Sequence, residues 1–435
     1  MKDSRKPGIG SFAMESNKIR VLHVCRSESR DGAGIGAYRL HCAMLKEGID
    51  SRMLVINKRR VDPTVLQLGL SSRALLLIWR KLSRSLLKLQ KSPNTVFHSL
   101  NIFPTGTHRV INKLQSDIVQ FHWIGEGMIS ISEIAKIRSP IVWKMPDMWA
   151  FSGAEHYMLP HGYPRYKEGY TRQNRQEMET GIDIDRLVWS YKRRSWKERK
   201  FTIACPSKWM AKCALESILF RGYEVINIPN PIDLDKYRPM SRNEARLHFG
   251  LPKQKWLILF GAVNATNDRR KGFHYISNAL QALSKNFGPD QCELVVFGSD
   301  GDGSTFLNSY KLHFLGTLVD DSELVSAYNA ADVLLLPAEI DNLPNTIKEA
   351  TACGTPCVAF DVGGLPDMIR HNDSGFLAPP FDPAKLAEGI RWVFNQPAES
   401  LSRKVRKYAE ELHSESDRVA DYQKVYREIL DSAKL

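Results

Sequence analysis

The sequence predicts an α/β protein of two doubly wound domains facing each other across a cleft. Three observations carry this expectation. At 435 residues the chain is too long for one ordinary core and suits two units of about 200 residues each. Short apolar runs of the kind buried in parallel sheets alternate with helical stretches from end to end. Near the middle, Ile228–Pro239 (IPNPIDLDKYRP) is rich in Pro, Asn and Asp and reads as a linker. The expected boundaries are therefore a disordered arm over 1–18, a first domain over 19–238 and a second over 239–400. Helices over 401–435 either cap the second domain or cross back to the first.

In the first domain, Arg20–Cys25 (RVLHVC) reads as the opening strand. A glycine-bearing turn follows, then a helix over Ile35–Lys46 that Gly48 stops, then a strand at Ser51–Ile56. That is one βαβ unit. Asp117–His122, Pro140–Trp143 and Phe201–Cys205 continue the series. In the second domain the compact apolar runs are Trp256–Val263, Glu293–Phe297, His313–Leu315, Val333–Leu336 and Pro356–Phe360. Amphipathic helical stretches at Phe273–Leu283, Ser322–Asn329, Asn345–Ala352 and Ala384–Val393 separate them.

Composition narrows the function classes. Hydrophobic residues at 43% and charged residues at 25% suit a globular protein. The first 18 residues lack the apolar run of a secretory signal. No stretch reaches the roughly 20 apolar residues that span a bilayer. A cytoplasmic protein is expected, at most peripheral on the inner face of the cell membrane. The seven cysteines are scattered without a CxxC pair, which suits free buried thiols in a reducing compartment. A net charge of +13 calls for an anionic partner: lipid, a phosphorylated ligand or nucleic acid. No nucleic-acid-binding motif accompanies the charge, so nucleic acid ranks last.

The segment richest in chemistry is Pro337–Asp367, PAEIDNLPNTIKEATACGTPCVAFDVGGLPD. A buried strand ends near Pro337 and a helix starts near Pro344, a residue favoured in a first turn. The N–H groups of Asn342, Leu343 and Asn345 then surround a helix N-terminus, where phosphate binds well. Asp341 precedes that helix and Glu349 lies inside it. Carboxylates at the carboxyl end of a parallel sheet suit sugar and ribose hydroxyls; capping or solvating a helix suits them equally. In Phe260–Phe273 (FGAVNATNDRRKGF) a strand runs into Arg269, Arg270 and Lys271. These cations suit a diphosphate, or form a solvated basic loop. Gly298, in VVFGSD, lines the expected nucleotide pocket.

These residues resemble a known family. An acid, seven residues and a second acid, at Asp341 and Glu349, run into EATACGTPCVAFDVGGLPD. The pattern resembles the signature of family-four retaining glycosyltransferases, whose GT-B fold pairs two Rossmann-like domains. DNLPNTIKEA is similar to a subgroup of bacterial polysaccharide and O-antigen (lipopolysaccharide) assembly. The resemblance implies that Asp341 contacts the donor sugar and Glu349 the ribose; the family usually has Glu at the first position. Its Gly–Arg…Lys–Gly pattern matches at Gly261, Lys271 and Gly272. Ala262 stands where the arginine usually is, which leaves Arg270 as the substitute.

The first domain carries the acceptor side of the resemblance. Gly32, Gly34 and Gly36 in DGAGIGAYR either let backbone approach a ligand or make a tight turn. His122 ends the strand in DIVQFHW and is either an acceptor-side residue or a satisfied core histidine. Asp147, in PIVWKMPDMWAFSG, matches a catalytic aspartate, but Pro146 replaces the histidine that precedes it in the family and contacts the donor sugar. Relatives carry cysteines over 154–170 that could hold metal or a bridge; none lies here between Cys42 and Cys205. His156, His161, Tyr163 and Tyr166 instead suit an acceptor pocket. The DxD pairs Asp183–Asp185 and Asp300–Asp302 read as solvated acids, and no cofactor and no essential metal are expected. Ser72–Pro93 reads as a basic amphipathic helix for an anionic membrane surface, or as one packed on its own domain. The expected reaction moves a sugar from a nucleoside-diphosphate sugar to a hydroxyl of a glycan or lipid-linked acceptor with retention of configuration. The alternative is a catalytically silent sugar-nucleotide-binding partner in a polysaccharide synthesis complex.

Overall fold

A computed structural model describes residues 18–29, 31–159, 162–261, 268–299, 301 and 305–432. It divides into two compact units, the first Met1–Ile228 with Val419–Leu435, the second Pro229–Arg418. Apart from Lys18, the arm expected over 1–18 lies outside the described residues.

The first unit is built on a seven-stranded parallel sheet. In spatial order its strands are Val65–Gln67, Asp50–Val55, Arg20–Val24, Ile118–Phe121, Ile141–Lys144, Thr202–Cys205 and Glu224–Asn227. Three of them, IVQF, IVWK and TIAC, are buried along their whole length, as strands covered on both faces must be. The chain's last helix, Glu415–Ser432, lays Val419, Tyr422, Val425 and Tyr426 onto a core with Val21, Leu40, Ile118, Val142 and Ala204. Their spacing of three and four residues puts them on one helical stripe. The C-terminal segment is thus divided: Ala398–His413 stays in the second unit, burying Leu401, Val405 and Ala409 there, while Val419 onward belongs to the first.

The boundary between the units falls at the start of the linker expected over Ile228–Pro239. The second unit begins at Pro229. Ile232 and Tyr237 are buried in its core, the Ile232 amide donates to the His413 carbonyl, and the Tyr237 hydroxyl donates to Asp321 at 2.7 Å. Between and after these anchors Asp235, Lys236, Arg238 and Pro239 are exposed.

The second unit has its own seven-stranded sheet, in the order Phe306–Leu307, Tyr310–Phe314, Cys292–Phe297, Trp256–Gly261, Val333–Leu336, Cys357–Phe360 and Gly375–Ala378. Within this sheet the Phe306–Leu307 edge is antiparallel and the other pairings are parallel. The helix Phe273–Leu283 buries Ile276, Ala279, Leu280 and Leu283 beside Leu386 and Ile390 of the helix Pro383–Phe394. From Trp256–Gly261 the chain builds outward on one side through Cys292–Phe297, then returns to the other side at Val333–Leu336. The reversal leaves a crevice at the carboxyl ends of these two strands, where doubly wound sheets bind ligands. Among the described residues, no helix is long and apolar enough to cross a membrane.

Candidate functional site

Two segments meet at the strand reversal of the second unit. One is the 3₁₀ turn Arg269–Lys271, which follows the strand Trp256–Gly261. The other is the loop from Pro337 to Asp341, which follows Val333–Leu336. Gly272 joins them closely: it adopts φ +77°, and a Cβ there would lie 1.7 Å from the Pro337 carbonyl oxygen. Only glycine fits, for want of space and because of its left-handed backbone. The Glu339 amide also donates to the Arg270 carbonyl at 2.8 Å. So held, the Lys271 ammonium donates to Asp341 Oδ2 at 2.6 Å, with the two side chains 20% and 15% exposed. Asp341 is fixed from its other side as well. Its Oδ1 accepts from the Asn342 amide at 2.8 Å, and its carbonyl accepts from the Gly364 amide at 3.0 Å. A Cβ on Gly363, at φ +57°, would lie 2.0 Å from that carbonyl oxygen. The paired glycines of VGGLPD thus let one loop close over another.

The remaining donor-side residues are placed less uniformly. The helix Asn345–Ala352 starts after Pro344, which offers no side-chain cap. Asn342 and Leu343 before it are buried. Glu349 points into the unit and accepts from the Tyr328 hydroxyl at 2.7 Å. Burial, then the neighbouring Glu349 charge, push the Tyr328 phenol well above its ordinary value, so it stays a donor. Gly298, at φ +80°, follows the strand beside Trp256–Gly261 and donates its amide to the Gly316 carbonyl at 2.7 Å. The Arg270 guanidinium lies along its own turn, 2.7 Å from Asp268; a two-residue separation makes that carboxylate a near partner. Ala262 and the Asp300–Asp302 pair lie outside the described residues. Sequence reasoning passed over Glu339, which gathers the Tyr275 hydroxyl at 3.2 Å, His274 at 3.4 Å and Arg269 at 3.9 Å.

In the first unit Asp147 is the centre of a relay. His156 Nδ1 is 2.5 Å from Asp147 Oδ2, and His156 Nε2 is 2.8 Å from Ser99 Oγ. Trp123 Nε1 donates to Asp147 Oδ2 at 2.9 Å, and the Trp149 amide donates to Oδ1 at 3.0 Å. The relay exists because Phe97–Ser99 and Ala154–His156 pair as extended backbone: the Ser99 amide donates to Ala154 and the His156 amide to Phe97. A void of about 10 Å³ borders His122, Trp123, Asp147 and His156. On its other side Ser99 borders a larger cavity of about 280 Å³, together with Arg80, Arg84, Asn94, Phe97 and Glu126. Glu126 is met there by Arg26, by Arg84 at 3.2 Å and by Arg80 at 3.8 Å. Of the other residues expected in an acceptor pocket, Tyr166 is buried, Tyr163 is exposed and His161 lies outside the described residues.

In the first unit the reading of Asp183 and Asp185 as solvated is corrected, and the other residues singled out by sequence are given a place. His122 is a buried partner of His23, with Nε2 and Nδ1 2.9 Å apart. Burial first, then neighbouring positive groups, hold both imidazoles well below their ordinary pKa, so they are neutral. Lys144 lies buried beside them, pushed down to about 7 by burial. Gly32, Gly34 and Gly36 form the first turns of the helix Gly32–Lys46, not a ligand loop. Asp31 caps it by accepting from the Gly34 amide at 2.7 Å, and a Cβ on Gly34 would lie 2.6 Å from the Ser27 carbonyl oxygen. That glycine serves the approach of helix to loop. Asp183 and Asp185 are buried, not solvated, because distant residues satisfy them: Arg165 at 2.7 Å from Asp183, and Gln90 and the Ala154 amide on Asp185. The basic helix spans Leu70–Leu87, and only Leu76 is buried in it. Trp79 packs inward on Phe103, but Leu77, Ile78 and Leu82 face outward beside Lys81 and Arg84.

Residues 254–396 match the family described as glycosyl transferases group 1. That stretch holds Lys271, Gly298, Asp341 and Glu349. D-inositol 3-phosphate glycosyltransferase 1 from Catenulispora acidiphila is 33% identical over 181 residues, covering 38% of this chain. The chain spans 42% of that relative's length. Among solved structures, sucrose-phosphate synthase from Thermosynechococcus elongatus superposes with a TM-score of 0.65 at 17% identity, covering 95% of this chain and 100% of that one. HepE from Anabaena, solved in complex with UDP, superposes with a TM-score of 0.61 at 13% identity, covering 94% and 100%. The fold is therefore the GT-B arrangement of two Rossmann-like α/β units.

Proposed function

We propose that this protein transfers a glycosyl group from a nucleoside-diphosphate sugar to a hydroxyl of a glycan or lipid-linked acceptor, with retention of configuration, in bacterial polysaccharide (O-antigen type) assembly. The observation that carries the reading is the Lys271–Asp341 pair at the strand reversal of the second unit, inside the stretch that matches group 1 glycosyl transferases. Cleaving the bond between the anomeric carbon and the phosphate oxygen leaves negative charge on the diphosphate and positive charge on the sugar. Lys271 and the helix start at Asn345 stabilise the first. Asp341 orients the sugar hydroxyls, and in the absence of donor it holds Lys271 in place. Glu349 takes the ribose, with Tyr328 steadying its carboxylate. As the acceptor oxygen bonds to the anomeric carbon, its proton passes to the departing phosphate oxygen. Asp147, aligned by His156 and Trp123, is the catalytic residue of the first unit in this reading. The UDP bound by HepE supports a uridine diphosphate sugar as the first donor to test.

The outward Leu77, Ile78 and Leu82 with Lys81 and Arg84 support peripheral attachment to an anionic membrane surface, where a lipid-linked acceptor resides. The test of the whole reading is a thermal-shift screen of nucleotide sugars, followed by release of nucleoside diphosphate from the stabilising donor. Stabilisation without turnover across lipid-linked and free glycan acceptors would favour the silent binding partner. No stabilisation by any nucleotide sugar would refute both.

A further inference from the structure

We propose that His98, Glu155 and Asp185 of the first unit form a binding site for one divalent transition-metal ion. The ligating atoms of the three residues all lie within 4.8 Å of one another. Metal–ligand distances of about 2.0–2.2 Å bring such a set onto one ion with small side-chain adjustments. The tautomer of His98 is fixed by its surroundings. Its Nδ1 is 2.6 Å from the Val96 carbonyl, which can only accept, so Nδ1 carries the proton and Nε2 presents its lone pair. That lone pair stands 3.9 Å from Asp185 Oδ1. Glu155 Oε1 accepts from Tyr170, while its buried Oε2 meets no donor group and faces the Asp185 carboxyl. An imidazole lone pair and two carboxyl groups thus converge in the interior. One imidazole with two carboxylates suits ions of the zinc or manganese class.

The nearby cations are engaged elsewhere. Lys192 Nζ donates to the carbonyls of Trp149, Ser152 and Gly153. Arg165 pairs with Asp183 at 2.7 Å, and Arg175 lies 3.7 Å from Glu179. Four carboxyl groups (Glu155, Glu179, Asp183, Asp185) therefore gather beside three basic side chains, and Glu155 Oε2 stays without a hydrogen-bond donor. Backbone geometry supports the same place: His98 and Glu155 form an isolated antiparallel bridge, and Asp185 stands in the first turn of the helix Ile184–Ser195. An ion there ties a loop, a bridge and a helix start together one residue from His156 of the Asp147 relay. Its role is structural and independent of the glycosyl-transfer reading. The competing arrangement is a proton held between Glu155 and Asp185.

Tag-free full-length protein, stripped with chelator and dialysed, is titrated with Zn²⁺, Mn²⁺ and Co²⁺, following bound metal by elemental analysis, melting temperature and the visible absorption of Co²⁺. The expected result is one ion per chain, a rise in melting temperature, and at least a tenfold loss of affinity in Glu155→Gln and in the partly exposed His98→Gln. Far-UV circular dichroism confirms that both variants are folded, and His98→Gln alone suffices where Glu155→Gln is not. Stoichiometry at background for all three ions, or unchanged binding in the variants, overturns the proposal in favour of the shared proton.

Discussion

The two units share a sheet architecture but handle charge in opposite ways. In the second, the groups at the strand reversal are ionised, paired and partly exposed: Lys271 meets Asp341 at 2.6 Å with solvent still at both side chains. In the first, the corresponding strand ends carry buried, neutral or unpartnered groups: His23 on His122, Lys144 beside them, Asp147 enclosed by His156 and two tryptophans. A charge left at a surface crevice is available to a ligand, whereas a titratable group sealed in the interior can only be tuned by its neighbours. The same topology thus leaves a partly exposed ion pair in one unit and an enclosed wall of titratable groups in the other.

The comparison can be broken most directly at Lys271. Lys271→Ala removes a preorganised cation and is expected to lower donor turnover by about 10²–10³-fold, measured as nucleoside-diphosphate release; turnover within threefold of the parent would mean that the crevice does not receive the diphosphate. Gly272→Ala should be the most destabilising change in that region. The left-handed backbone alone costs about 1–3 kcal/mol, and the Cβ would collide with the Pro337 carbonyl. Urea unfolding reads the loss, and a variant as stable as the parent would contradict the close approach.

Acid should separate the units. His23, His41 and His122 are all depressed in the first unit, His41 to about 4, against His413 in the second, at about 3. Below the ordinary histidine value of about 6.5, the unfolded chain binds protons that these folded imidazoles refuse. Stability is therefore full above that value and falls as pH drops toward 4, by on the order of 3 kcal/mol for His41 alone. Seven of the nine tryptophans lie in the first unit, since only Trp256 and Trp392 fall in the second. Tryptophan fluorescence should consequently report an acid transition that precedes the loss of helical circular dichroism; coincident transitions would count against the contrast. The smallest effect is expected for Ile78→Asn with Leu82→Asn: weaker sedimentation with anionic vesicles and unchanged turnover of a soluble acceptor. Unaltered vesicle binding would remove this helix from the membrane reading.

Much of the fold was legible because its strands are short, buried and apolar. IVQF, IVWK, VLLL and CVAF cannot be exposed, and periodicity alone places them. Edge strands such as Val65–Gln67 and Gly375–Ala378 were not read, being too brief to show a period. Lys271 and Asp341 could be singled out by their chemistry and by motif, although their 70-residue separation hides the ion pair itself. The first unit was harder for the same reason throughout. Nothing local in GIDID reveals that Arg165 and Gln90 bury Asp183 and Asp185, and nothing in HSLN reveals that Ser99 meets His156. Gly32–Gly36 looked like a loop because glycine is a poor helix former; the Asp31 cap and the Ser27 contact overrule that preference.

The return of the last helix to the first unit has a consequence for synthesis. Val419, Tyr422, Val425 and Tyr426 complete a core whose other members, from Val21 to Ile228, are translated about two to four hundred residues earlier. A unit contained in one uninterrupted stretch, Pro229–Arg418, can mature while the ribosome is still working. Its companion, begun first, must wait with an open hydrophobic face until the helix Glu415–Ser432 emerges. The order of birth and the order of completion are reversed.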